Sequence, residues 1–229
     1  ARTQSIKIGD LNINDLVRRN FNGPTAAFGS LSIGEIAWTN ITKTDTISYG
    51  LDNLLLSSKM ADDTITARIN WDNQSEEIRN HAAIETCFHP HEDGGIFTIK
   101  NGDICINDTL WQFSPNNFVD FNQGRITLSN LMLGHRDQFV RVDGYVPKQE
   151  HDTLAVQFHA FDISNFDILF ERMGFDIDGL ISGEAFLSNL KEKPMVLADL
   201  TINRLGMDGG QIGDATIRSA WDHENKAID

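Results

Sequence analysis

Apolar and polar residues alternate with a period of two over much of this chain, and that restricts its fold more than any other feature. Ile65, Ala67, Ile69 and Trp71 fall on one side of an extended segment, with Thr64, Thr66, Arg68 and Asn70 on the other. Ile126 and Leu128 alternate with Arg125, Thr127 and Ser129, and Val140 and Val142 with Arg141 and Asp143. Leu154, Val156 and Phe158 alternate with Ala155, Gln157 and His159. Leu200 and Ile202 alternate with Asp199, Thr201 and Asn203, and Ile217 and Trp221 extend the apolar set. Successive side chains of a strand point to opposite faces, so each segment reads as a half-buried antiparallel strand.

Turn residues punctuate these segments: Asn22-Gly23-Pro24, Asp93-Gly94-Gly95, Asn101-Gly102-Asp103, Asn122-Gln123-Gly124 and Asp208-Gly209-Gly210. Short strands between such turns give meanders, though a sandwich or barrel shares the pattern. Helix is expected only in short pieces. Ser164-Asn165-Phe166-Asp167 resembles a capping box, followed by Ile168, Leu169 and Met173 and a stop at Gly174; Asn14 to Arg19 reads as another helical turn. A weak repeat sets Arg68-Ile69-Asn70-Trp71-Asp72 beside Arg218-Ser219-Ala220-Trp221-Asp222, which suggests one supersecondary unit used twice. The expectation is a single β-domain over residues 1–229, with a possible subdivision into 1–90 and 91–229.

Composition narrows the partners. The net charge is −14, with a pI near 4.8. Such a surface repels nucleic-acid phosphate and anionic headgroups, which argues against a nucleic-acid partner. No apolar run approaches the ~20 residues of a membrane-spanning helix. The sequence begins at Ala1, with neither methionine nor signal peptide, and so reads as a piece of a longer protein.

Candidate chemistry is sparse. His89 and His91 of His89-Pro90-His91-Glu92 would point the same way on an extended segment, but zinc wants three or four ligands and no companion motif lies nearby. A polar loop before Asp93-Gly94-Gly95 is the plainer reading, and no metal or other cofactor is expected. Cys87 and Cys105 read as packed thiols, although an oxidising compartment would let them pair. No nucleophile elbow, phosphate loop, HExxH or dinucleotide fingerprint occurs, so no catalytic residue is assigned and the chain is not expected to be an enzyme.

Several stretches carry a family resemblance. Ile104-Cys105-Ile106-Asn107-Asp108-Thr109-Leu110-Trp111-Gln112-Phe113-Ser114-Pro115 resembles a recurrent motif of TamB-like proteins from Bacteroidetes-type bacteria, a strand followed by Asn-Asp, two residues and Trp. Phe121 to Leu128 and Asp137 to Gly144 are similar to the segments that come after this motif in that family. Phe175-Asp176-Ile177-Asp178-Gly179-Leu180-Ile181-Ser182-Gly183 is similar to the family's strand opening, and Gln211-Ile212-Gly213-Asp214-Ala215 running into Trp221-Asp222 to its ending. The resemblance covers residues 94–229; before that it rests mainly on Trp71-Asp72.

The resemblance implies an elongated, curved antiparallel sheet open along one side, a β-groove with an apolar inner face. It implies a segment of an AsmA-like (translocation and assembly module) envelope protein in the periplasm, with its inner-membrane anchor outside this sequence. The implied partners are phospholipid acyl chains and an outer-membrane barrel protein of the assembly-factor type. The implied role is lipid transport between the membranes, or outer-membrane protein assembly and secretion. A groove of this kind would be lined by Ile65, Ile69, Trp71, Ile126, Leu128, Val140, Val142, Leu154, Val156, Phe158, Leu200, Ile202, Ile217 and Trp221. Two other readings remain open: a periplasmic β-scaffold that binds barrel proteins without moving lipid, and a closed β-sandwich that binds glycans.

Overall fold

The computed structural model describes residues 2–8, 11–22, 26–41, 46–73, 79–146, 152–166, 176–188, 195–219, 221–222 and 227–228. Among these the fold is all-β, as the alternation predicts, and the single helical element is a 3-10 turn at Ile163–Phe166. The chain divides into two compact units, residues 1–90 with 97–115 and residues 91–96 with 116–229.

The first unit is built on β1 (Arg2–Ile8), β2 (Leu11–Asn22), β3 (Ala26–Ile41), β4 (Thr46–Ala61), β5 (Thr64–Asp72), β6 (His81–His91), β7 (Gly94–Ile106) and β8 (Thr109–Phe113). These strands are neighbours in chain order. The second unit holds β9 (Phe118–Asn122), β10 (Arg125–His135), β11 (Gln138–Tyr145), β12 (Thr153–Asp162), β13 (Ile177–Ser188), β14 (Met195–Met207) and β15 (Gly210–Ser219). Here β10 to β15 run in order and β9 pairs with β10. β16 (Trp221–Asp222) and β17 (Ala227–Ile228) form a separate antiparallel pair.

Turn chemistry explains the meander. Asp62-Asp63, Asn107-Asp108, Gln123-Gly124 and Asp208-Gly209 each place two consecutive residues at positive φ. That is the type I′ geometry whose twist matches flanking antiparallel strands, and Asp, Asn and Gly tolerate it best. The turns recur in a second role. Asp108 N–H donates to the Arg79 carbonyl at 3.1 Å, while Arg79 N–H donates to Asp108 Oδ1 at 3.2 Å. Asp208 N–H donates to the Asp176 carbonyl at 2.8 Å, and Asp176 N–H donates to Asp208 Oδ1 at 3.3 Å. One device, a turn aspartate clasping the residues before an earlier strand, thus occurs in both units. It gives a structural repeat of strand, strand, turn and strand, phased differently from the Trp71 and Trp221 match.

Bulges keep the apolar set on one face. The ladders shift register between Leu128 and Leu131, between Phe158 and Phe161, and between Ile202 and Leu205. Within these shifts Asn130, Ala160 and Arg204 have φ of 50°, 44° and 56°. Each extra residue lets the next apolar side chain return to the face of the last one. The displaced N–H groups are taken by side chains of the following strand: Asn130 by Asp143 Oδ1 at 2.7 Å, Ala160 by Ser182 Oγ at 2.8 Å and Arg204 by Asp214 Oδ1 at 2.9 Å.

Three sequence expectations need correction or placement. Asn14 to Arg19 is not helical but lies inside β2, where Val17 pairs with Arg2 on one side and Ser32 on the other, so sheet ladders take its backbone groups. Asn101-Gly102-Asp103 is no turn but the middle of β7; a Cβ at Gly102 would stand 2.5 Å from the Phe113 ring, which is why glycine sits there. At Ser164 the cap is made by Asp162, whose Oδ1 accepts from Ser164 N–H at 3.1 Å and Oγ–H at 2.7 Å. The stretch from Asp167 to Gly174, and Gly23-Pro24, lie outside the described residues.

Candidate functional site

Directly paired residues of antiparallel strands share a face, so the register decides whether the alternating apolar residues meet. In the second unit they do. Val140 pairs with Phe158, Phe158 with Gly183, Gly183 with Leu200 and Leu200 with Ile217, giving one row across β11 to β15. The next row runs Val142, Val156, Ala185, Ala198 and Ser219, and Leu154 opposite Leu187 begins a third. Ile126 and Leu128 meet Phe121 and Val119 of β9 on the same face. Beyond the bulges, Phe161, Ile181, Ile202 and Ala215 form a further row.

This face is only half shielded from water. Val140, Val142, Leu154, Val156 and Phe158 are half-buried, and Ile217 is 47% exposed, whereas Ala185, Ala198 and Ile202 are buried. The opposite face carries the charges. Arg218 pairs with Asp199 at 3.2 Å, Arg141 with Asp143, and the Gln157 amide donates to Glu184 at 3.2 Å. Such exposed pairs contribute at most about 1 kcal/mol each, but they mark the wetted side.

The first unit repeats the division in part. Arg18, Leu31, Leu56, Ile69 and Ile84 form one row across β2 to β6. Ala27, Met60, Ile65 and Phe88 form another, and Trp71 lies opposite Ala82 on the same face. A concavity of about 770 Å³ opens here, bounded by Leu31, Leu56, Met60, Ile65, Ile69 and Phe97 among others. On the reverse face Arg68 pairs with Glu85 at 3.3 Å. Further along, Trp111 is fully buried opposite Ile104.

Of the residues expected to line an apolar face, Ile65, Ile69 and Trp71 therefore lie together in the first unit. Ile126, Leu128, Val140, Val142, Leu154, Val156, Phe158, Leu200, Ile202 and Ile217 lie together in the second. Trp221 opposes Ile228 in β16, and its side chain lies outside the described part. Sequence reasoning missed Leu31, Ile33, Leu54, Leu56 and Met60. Asn53, at φ 51°, and the run Leu54-Leu55-Leu56 break the simple alternation there. It missed Ala185 and Ala198 as well, because alanine on a strand signals neither face.

The polar candidates resolve into local contacts. His89 lies between Thr64 Oγ1 at 3.1 Å and Cys87 Sγ at 3.2 Å, while His91 Nε2 lies 3.3 Å from Asp120. No group of three or more metal-ligating side chains occurs among the described residues. Cys87 and Cys105 are buried, free thiols. Burial pushes the Cys105 thiol above its ordinary value. The Arg79 guanidinium, 2.8 Å from Asp108, holds that carboxyl below the usual carboxylate range and is itself held more firmly protonated. A polar hollow of about 370 Å³ near Asp162, Asp178 and Arg204 offers no third ligand of that kind among the described residues. Comparisons with protein-family models, curated proteins and solved structures found no match.

Proposed function

We propose that the apolar sheet faces carry lipid acyl chains, as part of a TamB-like or AsmA-like envelope protein that moves phospholipid across the periplasm. The observation that carries this reading is the set of rows from Val140 to Ile217 and from Val142 to Ser219 over five paired strands, partly exposed except at the buried Ala185 and Ala198, while the reverse face bears the charges. Exposing an acyl chain to water costs ~0.8 kcal/mol per methylene, so a whole chain faces a barrier of order 10 kcal/mol. A sheet face lowers that barrier because its backbone groups are already paired and its rows offer apolar contact at each strand. Transport needs contact without a tight clamp, and rows of Val, Leu, Ile and Phe meet that need.

The test is to purify the chain without detergent from bacterial envelopes, extract it with organic solvent and identify lipids by mass spectrometry. Co-purified phospholipid in near-stoichiometric amount is expected. A lipid-free chain that also fails to take up phospholipid from vesicles overturns the reading.

A further inference from the structure

The polar hollow of about 370 Å³ in the second unit is framed by two rows of the sheet register. Asp162 pairs with Leu180 and Leu180 with Asn203, while Asp178 pairs with Gly206 and Gly206 with Gln211. Adjacent residues of a strand point to opposite faces, so Asp162 and Leu180 turn away from the apolar row of Phe161 and Ile181. Asp178, two residues before Leu180, shares their face. Between the two rows β14 bulges, and the bulge sets Arg204 on the hollow at φ 56°, with its N–H donating to Asp214 Oδ1 at 2.9 Å.

Arg204 and Asp178 therefore line one hollow, and they do not meet. Arg68, Arg79, Arg125, Arg141 and Arg218 each have a carboxylate within hydrogen-bond distance. The Arg204 guanidinium has no such partner among the described residues, and the Asp178 carboxylate has no cation among them. Local structure holds each charge to its own wall. A Cβ at Gly206 would stand 2.3 Å from Asp178 Oδ2, so the bare backbone there gives the carboxylate its place, while the bulge fixes the chain at Arg204 two residues away. A lone anion entering the hollow meets the carboxylates of Asp178 and Asp162 as well as Arg204, and a lone cation meets Arg204. A molecule that carries both charges on a short linker avoids both repulsions.

We propose that this hollow binds a small zwitterion, its oxyanion on Arg204 and its ammonium on Asp178. The shared chemistry is that of an α-amino acid or of phosphoethanolamine, an ammonium joined by a few bonds to a carboxylate or a phosphate. The planar guanidinium fork suits either oxyanion. The site lies on the sheet face opposite the apolar rows, and the proposal does not rest on the lipid reading.

Ligand-observed NMR titration of the whole chain with free alanine, O-phosphoethanolamine, acetate and methylamine tests it. Both zwitterions are expected to bind more tightly than either single ion, and the tighter of the two identifies the oxyanion. Arg204→Gln should weaken the zwitterions by about two- to fivefold, the range an exposed ion pair supports, and leave methylamine no weaker. Asp178→Asn should weaken the zwitterions to a similar extent and leave acetate no weaker. Both side chains are exposed, and a melting curve checks that each variant is folded. Zwitterions that bind no more tightly than the single ions, or that bind both variants as they bind the unaltered chain, overturn the proposal. Absence of zwitterion binding by the unaltered chain overturns it as well, and each of these results leaves the lipid reading standing.

Discussion

A methyl group at Gly183 would sit 2.1 Å from the Asp199 carbonyl oxygen, on a backbone with φ of 124°. No side chain fits, since β13 and β14 approach here with the glycine in a region closed to L-residues. Gly183→Ala is expected to cost about 1–3 kcal/mol, read as a lower denaturation midpoint at unchanged m-value. Asp108 gives a pH-dependent counterpart. Its folded pKa lies below the ordinary value because of Arg79, so its contribution is present above the unfolded carboxylate pKa and lost as pH falls through the folded one. Asp108→Asn should therefore lower Tm at neutral pH, with the gap to the unaltered chain closing in acid. A gap independent of pH would assign the effect to the turn alone. The raised pKa and burial of Cys105 predict slow alkylation in the native state and fast alkylation after denaturation, followed by mass spectrometry.

At the level of elements, strands were legible wherever alternation ran unbroken, as in Ile65 to Trp71 and Leu154 to Phe158. It failed where a bulge adds a residue, because one extra position reverses the faces of everything after it. Gly102 misled for a related reason: glycine marks a turn in sequence, yet here it makes room for Phe113. The set of residues that shares the apolar face was legible, from Ile126 to Phe158, but the rows within it were not, since alternation gives the two sides of a strand and not which residue it meets next door. The bulges themselves are testable. Ser182→Ala removes the acceptor of the Ala160 N–H and should cost about 1 kcal/mol, whereas Ser182→Thr should retain most of the stability.

The second unit sets rows of apolar residues on one sheet face and the charged pairs on the other, whereas in the first unit Arg18 and Asp52 share the face of Leu31 and Leu54, and the lipid reading stands or falls on whether the apolar side is open. Val156 probes this directly. It pairs with Val142 and Ala185, is half-buried, and lies one row from Phe158. An aspartate there puts an ion onto the apolar rows, at a cost of several kcal/mol only if it is desolvated. The decisive measurement compares Val156→Asp with the unaltered chain for both thermal melting and co-purified phospholipid. An open lipid-bearing face predicts a folded variant, melting within several degrees of the parent, that has lost its lipid. A variant that unfolds outright, from a parent that carries no lipid, would contradict that account and identify these rows as a closed core.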